Sequence, residues 1–128
     1  KSEASIAAQI ADPDAAIQLA ETDGKLAGYC KMGLTCGWPE HARGQSVLEL
    51  KQLYMDPAMT GMGVGALLMD WALTLAEQRG ADEVQLSVWS GNTGAQRFYA
   101  RYGFAKVTDV TFQVGDQIDE EFLFAKLL

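Results

Sequence analysis

Residues 53–80 read LYMDPAMTGMGVGALLMDWALTLAEQRG: the end of a strand, a glycine-rich turn and a long helix. Leu53, Tyr54 and Met55 close an apolar run that Asp56-Pro57 stops, because proline has no N–H to give a ladder. Gly61, Gly63 and Gly65 alternate through the turn. From Val64 onward, the apolar residues Val64, Leu67, Leu68, Trp71, Ala72, Leu75 and Ala76 repeat with the period of one helix face. Gly80, just past Arg79 in the last turn, suits the position that follows a helix end.

The start of that helix suits an anion. The first N–H groups of a helix have no intrahelical partner, and the macrodipole adds roughly half a positive charge there. Glycines let a bulky phosphate approach the main chain, so a pyrophosphate would fit over Gly61, Met62, Gly63, Val64, Gly65 and Ala66. The same spacing also makes a tight strand-to-helix turn that binds nothing. No Lys-Ser/Thr pair follows the glycines, which argues against a nucleoside-triphosphate P-loop. Asp82-Glu83 precede a strand instead of ending one, which argues against a dinucleotide fold.

Toward the N-terminus, residues 46–55 form the preceding strand. Glu49, Lys51 and Gln52 break its alternation, and a bulge between Leu50 and Leu53 would reconcile the pattern. Residues 35–45 are a loop holding Trp38 and His41, with Trp38 either flanking a substrate entrance or covering the core. Residues 16–21 and 26–34 make a hairpin around Asp23-Gly24. Residues 2–11 read as a helix, because Ile6 and Ile10 lie four apart, and Asp12-Pro13 ends it. Toward the C-terminus, 83–89 is a short strand with Val84, Leu86 and Val88 on one face. Asn92 caps a second helix over 93–102, and strands 105–114 and 120–127 follow around Gly115-Asp116-Gln117. The fold class is α/β: a mixed, mostly antiparallel sheet with one parallel crossover and flanking helices. Ligands of such sheets bind beyond the C-terminal ends of parallel strands, so residues 61–66 and 92–99 should face one cleft.

Composition narrows the function. The 128 residues carry a formal charge of −7, which disfavours nucleic acid and suits a cationic small molecule. No apolar run approaches the ~20 residues of a membrane span, so no membrane partner is expected. Cys30 and Cys36 form neither a CxxC pair nor a disulfide framework, and no secretory leader is legible from Lys1 onward. Reduced thiols and a cytoplasmic location are the expectation. No metal-ligand spacing is present.

Two motifs then stand in order. L-Y-M-D-P-x-x-T-G-M-G-V-G-x-x-L-M is followed by S-V-W-S-G-N-x-x-A-x-x-F-Y-x-x-Y-G-F. Together they resemble the GNAT superfamily of acetyl-CoA-dependent N-acetyltransferases, over roughly residues 16–128. The segments ELKQLYM, SVWSGN and FQVGDQIDEEF resemble the branch that includes polyamine-type acetyltransferases. The resemblance implies one domain over 1–128, with a central splayed pair of parallel strands and with its opening strand and helices either absent from this stretch or disordered. It implies acetyl-CoA as cosubstrate, no metal and an amine acceptor, and it leaves a homodimer open.

By the same resemblance, the phosphate signature Q/R-x-x-G-x-G/A falls on Thr60 to Gly65, with Thr60 departing from the usual Gln or Arg. The pantetheine arm would hydrogen-bond the main chain at Leu53, Tyr54 and Met55, as an added strand does. Asn92 would contact the cofactor, and Tyr99, seven residues on, would stand near its sulfur. The Met55 N–H is the family-like oxyanion donor, and Tyr99 is the acid for the leaving thiolate. Where relatives often place a basic glutamate before the Asn, this chain has Ser87; Glu49, on the other central strand, is the candidate base, beside deprotonation through ordered water. His41 has no spacing relation to the motifs. Asp116, Asp119, Glu120 and Glu121 could gather a cationic amine with Glu49, or simply form a solvated turn. A second reading is a GNAT-fold protein that binds CoA without transferring acetyl groups.

Overall fold

The structure, a computed structural model, describes residues 4–11, 13–59, 61 and 63–128. Its elements in chain order are β1 (Ser5–Ala11), β2 (Ala15–Thr22), β3 (Lys25–Gly33), β4 (Val47–Met55), α1 (Val64–Gln78), β5 (Glu83–Trp89), α2 (Thr93–Arg101), β6 (Ala105–Val114) and β7 (Gln117–Leu127). Short 3-10 turns stand at Pro39–His41 and Pro57–Met59. Among the described residues the seven strands form one sheet in the order β1-β2-β3-β4-β5-β7-β6. The β4–β5 pair is parallel and every other neighbour is antiparallel.

The chain opens with a strand where the isoleucine spacing predicts a helix. A separation of four is even, so the sequence alone also allows a two-residue period. In the structure a register shift puts Ile6, opposite Ala20, and Ile10, opposite Ile17, on different faces, and both are exposed. The segment pairs with β2, Ser5 opposite Glu21 and Ala11 opposite Ala16, with an irregularity between Ile6 and Gln9. A helix this short is marginal by itself, and a sheet edge supplies the hydrogen bonds it would lack.

The other expected elements form, with β7 starting three residues earlier than its apolar pattern suggests. Asp23 and Gly24 both take positive φ, 51° and 76°, in the two-residue turn that matches the twist of β2 and β3. On α1, Val64, Leu68, Met69, Ala72, Leu75 and Ala76 are buried. They pack on β2, β3 and β4 around Ala20, Cys30, Met32 and Leu50.

Gly28 sets how closely α1 and β4 approach β3. A Cβ there would fall on the Tyr54 carbonyl oxygen and within 2.8 Å of Val64 Cγ1. The carbonyl belongs to a paired strand and cannot yield cheaply. Gly28→Ala is therefore expected to cost about 2 kcal/mol or more of stability, a fall of roughly 5–10 °C in Tm by thermal unfolding. A variant that melts within a degree of the parent would contradict this packing.

β4 and β5 pair only at Val47 with Glu83, Leu48 with Val84 and Glu49 with Gln85. Residues 50–55 and 86–89 then run on without pairing to each other. The bulge lies where the broken alternation predicts it. Lys31 opposes Gln52 and Met32 opposes Leu50, so Lys51 is the extra residue. A bulge bends and twists its strand. Here it stands two residues past the last β4–β5 pair, where the two strands part.

Candidate functional site

The gap between β4 and β5 opens into a cleft of about 430 Å³. Leu50, Leu53 and Met55 line it from β4, Ser87 and Trp89 from β5, and Asn92, Phe98 and Tyr99 from the second helix. A smaller hollow of about 210 Å³ lies against Gly61, Gly63, Val64, Gly65 and Ala66. Met55 and Phe98 line both, so the two hollows adjoin. The glycine turn and the start of α2 thus line two neighbouring hollows, one each.

The turn presents donors. The first intrahelical bond of α1 runs from the Leu67 N–H to the Gly63 carbonyl, 3.0 Å, so the N–H groups of Val64, Gly65 and Ala66 precede it. The helix begins at Gly63 with no side-chain cap. Gly63 has φ of 74°, and an added Cβ would meet nothing within 4 Å. Gly65 is the opposite case: a Cβ there would come within 2.8 Å of Met55 Sδ and 3.1 Å of the Phe98 ring. Met62 and Thr60, both part of the sequence-based site, lie outside the described residues.

The free edge of β4 also faces the gap. The Asp56 N–H donates to the Ala27 carbonyl of β3 at 2.8 Å. Main-chain groups alternate in direction along an antiparallel strand, so those of Tyr54 point to β3, and those of Leu53 and Met55 point into the gap. Tyr54 thus stands apart from the other two of the expected trio. Its main chain is turned to β3, its side chain stacks on Tyr29 at 5.4 Å, and it does not line the cleft.

Asn92 and Tyr99 lie on the cleft wall together. Asn92 Oδ1 accepts from the Ala95 N–H at 3.0 Å and caps α2, which leaves its Nδ2 as a donor. Gln96 fastens the same helix to the end of β5 through the carbonyls of Trp89 and Ser90. Tyr99 is only 9% exposed and packs edge-on to Phe104. Burial, with a smaller contribution from Cys30 nearby, pushes its phenol up to about 12. Tyr102 packs on Phe98 at 5.1 Å and is not in the cleft.

Glu49 does not line the cleft. It occupies the last rung of the β4–β5 ladder, on the face that also carries Gln85. Its carboxyl is raised above the ordinary carboxylate range, first by burial; Lys51, with Nζ 3.9 Å from Oε1, pulls the other way. His41 sits beside Glu40 at 3.9 Å, away from the cleft. In the acidic hairpin, Asp116 and Glu120 are exposed, and Asp119 accepts from Gln117 Nε2 at 2.7 Å.

The sequence reading missed how the loop over residues 34–46 is held. Three neighbouring polar side chains of the β5 segment bind it. Asp82 accepts from the N–H groups of Gln45 and Ser46, and Glu83 Oε1 from those of Arg43 and Gly44. Gln85 binds Trp38 through both its main-chain N–H and its carbonyl. The Trp38 ring meets Phe112 of β6 edge-on at 6.1 Å. Trp38 is thus part of a covering layer on the sheet face opposite α1. The polar alternation of Glu83 and Gln85 was the available signal, and it ordinarily marks a solvent face.

The acetyltransferase (GNAT) family profile matches residues 1–104, a span that holds the turn, the gap and all of α2. The chain belongs to this family. An uncharacterised N-acetyltransferase of Mycobacterium tuberculosis is 34% identical over 128 residues, 99% of this chain and 76% of its own length. Among solved structures, nourseothricin acetyltransferase superposes with a TM-score of 0.74 at 28% identity, over 91% of this chain and 66% of that one. PaiA N-acetyltransferase from Thermoplasma acidophilum, solved in complex with coenzyme A, has a TM-score of 0.69 at 23% identity, over 90% of this chain and 62% of that one, and shares the fold. Among the described residues no group of three or more His, Cys, Asp or Glu side chains is placed to hold a metal ion. No helix in the described residues is long and apolar enough to cross a membrane.

Proposed function

We propose that this GNAT acetyltransferase moves the acetyl group of acetyl-CoA to a primary amine of a small molecule or peptide, by direct attack in a ternary complex. The observation that carries the proposal is the pair of adjoining hollows, one at the start of α1 and one in the β4–β5 gap that reaches Tyr99, with Met55 and Phe98 lining both. In this reading the diphosphate lies over Gly61, Gly63, Val64, Gly65 and Ala66, with the helix dipole favouring its charge. The pantetheine arm adds to the free edge of β4 at Leu53 and Met55, and Asn92 Nδ2 gives it a further donor. The thioester then sits in the gap, where the Met55 N–H meets the oxyanion as the amine attacks.

The amine approaches from the face opposite α1, where Glu49 lies. A carboxyl raised by burial is a better base at neutral pH than an exposed one. The amine must lose a proton, directly or through water, and Glu49 is the candidate base on that face. Tyr99 serves the leaving group. A phenol near 12 is fully protonated at neutral pH, and a free thiol has a pKa of about 8.5, so complete proton transfer would be uphill by roughly 5 kcal/mol. Tyr99 therefore acts best as a hydrogen-bond donor that stabilises the thiolate as the C–S bond breaks. The formal charge of −7 and the carboxylates of the β6–β7 hairpin favour a cationic acceptor.

Release of CoA thiol from acetyl-CoA, measured across a panel of diamines, aminoglycosides and peptides, tests this function. Acetylation of at least one amine with matching thiol release is expected. Binding of acetyl-CoA with no amine acetylated would contradict it and would leave a CoA-binding protein.

A further inference from the structure

Gln85 is fully buried at the last rung of the β4–β5 ladder, where a polar side chain needs a reason. Its Oε1 accepts from the Trp38 N–H at 3.1 Å and lies 3.4 Å from Cys36 Sγ; its Nε2 donates to the Trp38 carbonyl at 3.1 Å. One amide thus pairs with one residue's main chain in both directions, as a neighbouring strand would. The clamp has a consequence one residue away. A Cβ on Gly37 would lie 2.5 Å from Glu49 Oε1 and 2.8 Å from its Cδ, so the Gly37 main chain rests directly on the carboxyl.

We propose that Gln85 is a positioning residue: by clamping Trp38 it holds Gly37 as a roof over the Glu49 carboxyl and keeps water from that side. The inference deepens the proposed reaction and rests on Glu49 acting as its base. Other groups cannot supply the roof. From β4 itself comes Lys51, an ammonium 3.9 Å from Oε1 that works against a raised carboxyl. From β3 comes Gly33, whose α-carbon is covered by the Lys51 stem. From the loop come Cys36, held on Gln85, and Glu40 and Arg43; Arg43 faces Glu83 of β5, 3.6 Å from its Oε2. Desolvation under the Gly37 main chain is what remains to raise Glu49.

The test is a carbon-13 NMR titration of the Glu49 carboxyl, run beside the pH profile of kcat/KM for the amine. In Gln85→Leu the clamp is lost and the bulk retained. The Glu49 midpoint is expected to fall by about half a unit or more toward the ordinary carboxylate value. The acid limb of the profile should fall with it, with kcat down about two- to threefold near neutral pH and the KM for acetyl-CoA essentially unchanged. Gln85→Glu keeps the acceptor for the Trp38 N–H, and protonated it restores both bonds, so its Glu49 midpoint should not fall. Gly37→Ala supplies a second route if Gln85→Leu does not fold. Its Cβ displaces the flexible end of Glu49 while the clamp stays intact, and the midpoint should again move. Unchanged midpoints in a folded Gln85→Leu or in Gly37→Ala would overturn the inference. The titration needs no turnover: a shifted midpoint in a protein that acetylates no amine would uphold the clamp and refute the reaction.

Discussion

Replacing Gly63 with aspartate is expected to weaken acetyl-CoA binding by about a hundredfold while leaving the fold in place. Gly63 begins α1 with φ of 74°, and no described atom lies within 4 Å of where its Cβ would be. A side chain there projects into open space and strikes nothing of the protein. Aspartate tolerates the left-handed region better than most residues, so the fold should lose only about 1 kcal/mol. The ligand loses more. A carboxylate about 5 Å from the diphosphate at an effective dielectric near 20 is repelled by roughly 3 kcal/mol. Gly63→Ala separates the two contributions, since it brings the backbone strain without the charge and should weaken binding far less. Calorimetric titration of the three proteins reads the difference directly. If Gly63→Asp bound acetyl-CoA as tightly as the parent, the diphosphate would have to lie elsewhere.

The second large effect is expected at Tyr99. Tyr99→Phe should lower kcat by about ten- to a hundredfold with the KM for acetyl-CoA within about twofold. The ring stays, and so does its packing on Phe104 and Phe98, so stability should change little. What goes is the donor to sulfur. The loss should therefore depend on the leaving group. With an acetyl thioester of a more acidic thiol, whose thiolate needs less help, the ratio of parent to variant rates should shrink toward one. An equal loss with every thioester would assign Tyr99 to packing. An unchanged rate would remove it from the chemistry.

Most of this fold can be read from periodicity and turn residues, and the places where it cannot have physical causes. The β5–α2 junction was legible because Asn92 is a strong cap and Val84, Leu86 and Val88 mark one face. The bulge at Lys51 was legible because a strand buried at Leu48 and Leu50 cannot also bury Leu53 without an extra residue. The first strand was not, since the four-residue spacing of Ile6 and Ile10 allows both periods and only pairing with β2 decides between them. The pair of hollows was read in outline, through two loops that follow neighbouring parallel strands. The direction of the Tyr54 main chain was hidden, because it depends on which rung of β3 it meets. The fully buried Glu83 and Gln85 were hidden for a different reason: what covers them is a loop some forty residues earlier in the chain. Local pattern carries no record of that cover, and so none of the Gln85 clamp or of the Gly37 roof on Glu49.

Amide NMR during a titration with acetyl-CoA puts the central claim to its most direct test. The largest shifts should fall on the N–H groups of Val64, Gly65 and Ala66, on Leu53 and Met55 along the free edge of β4, and around Asn92 and Tyr99. Tyr54, turned toward β3, should move less than its two neighbours. Saturation of the protein with acetyl-CoA while the amides at the start of α1 stay still would contradict the account.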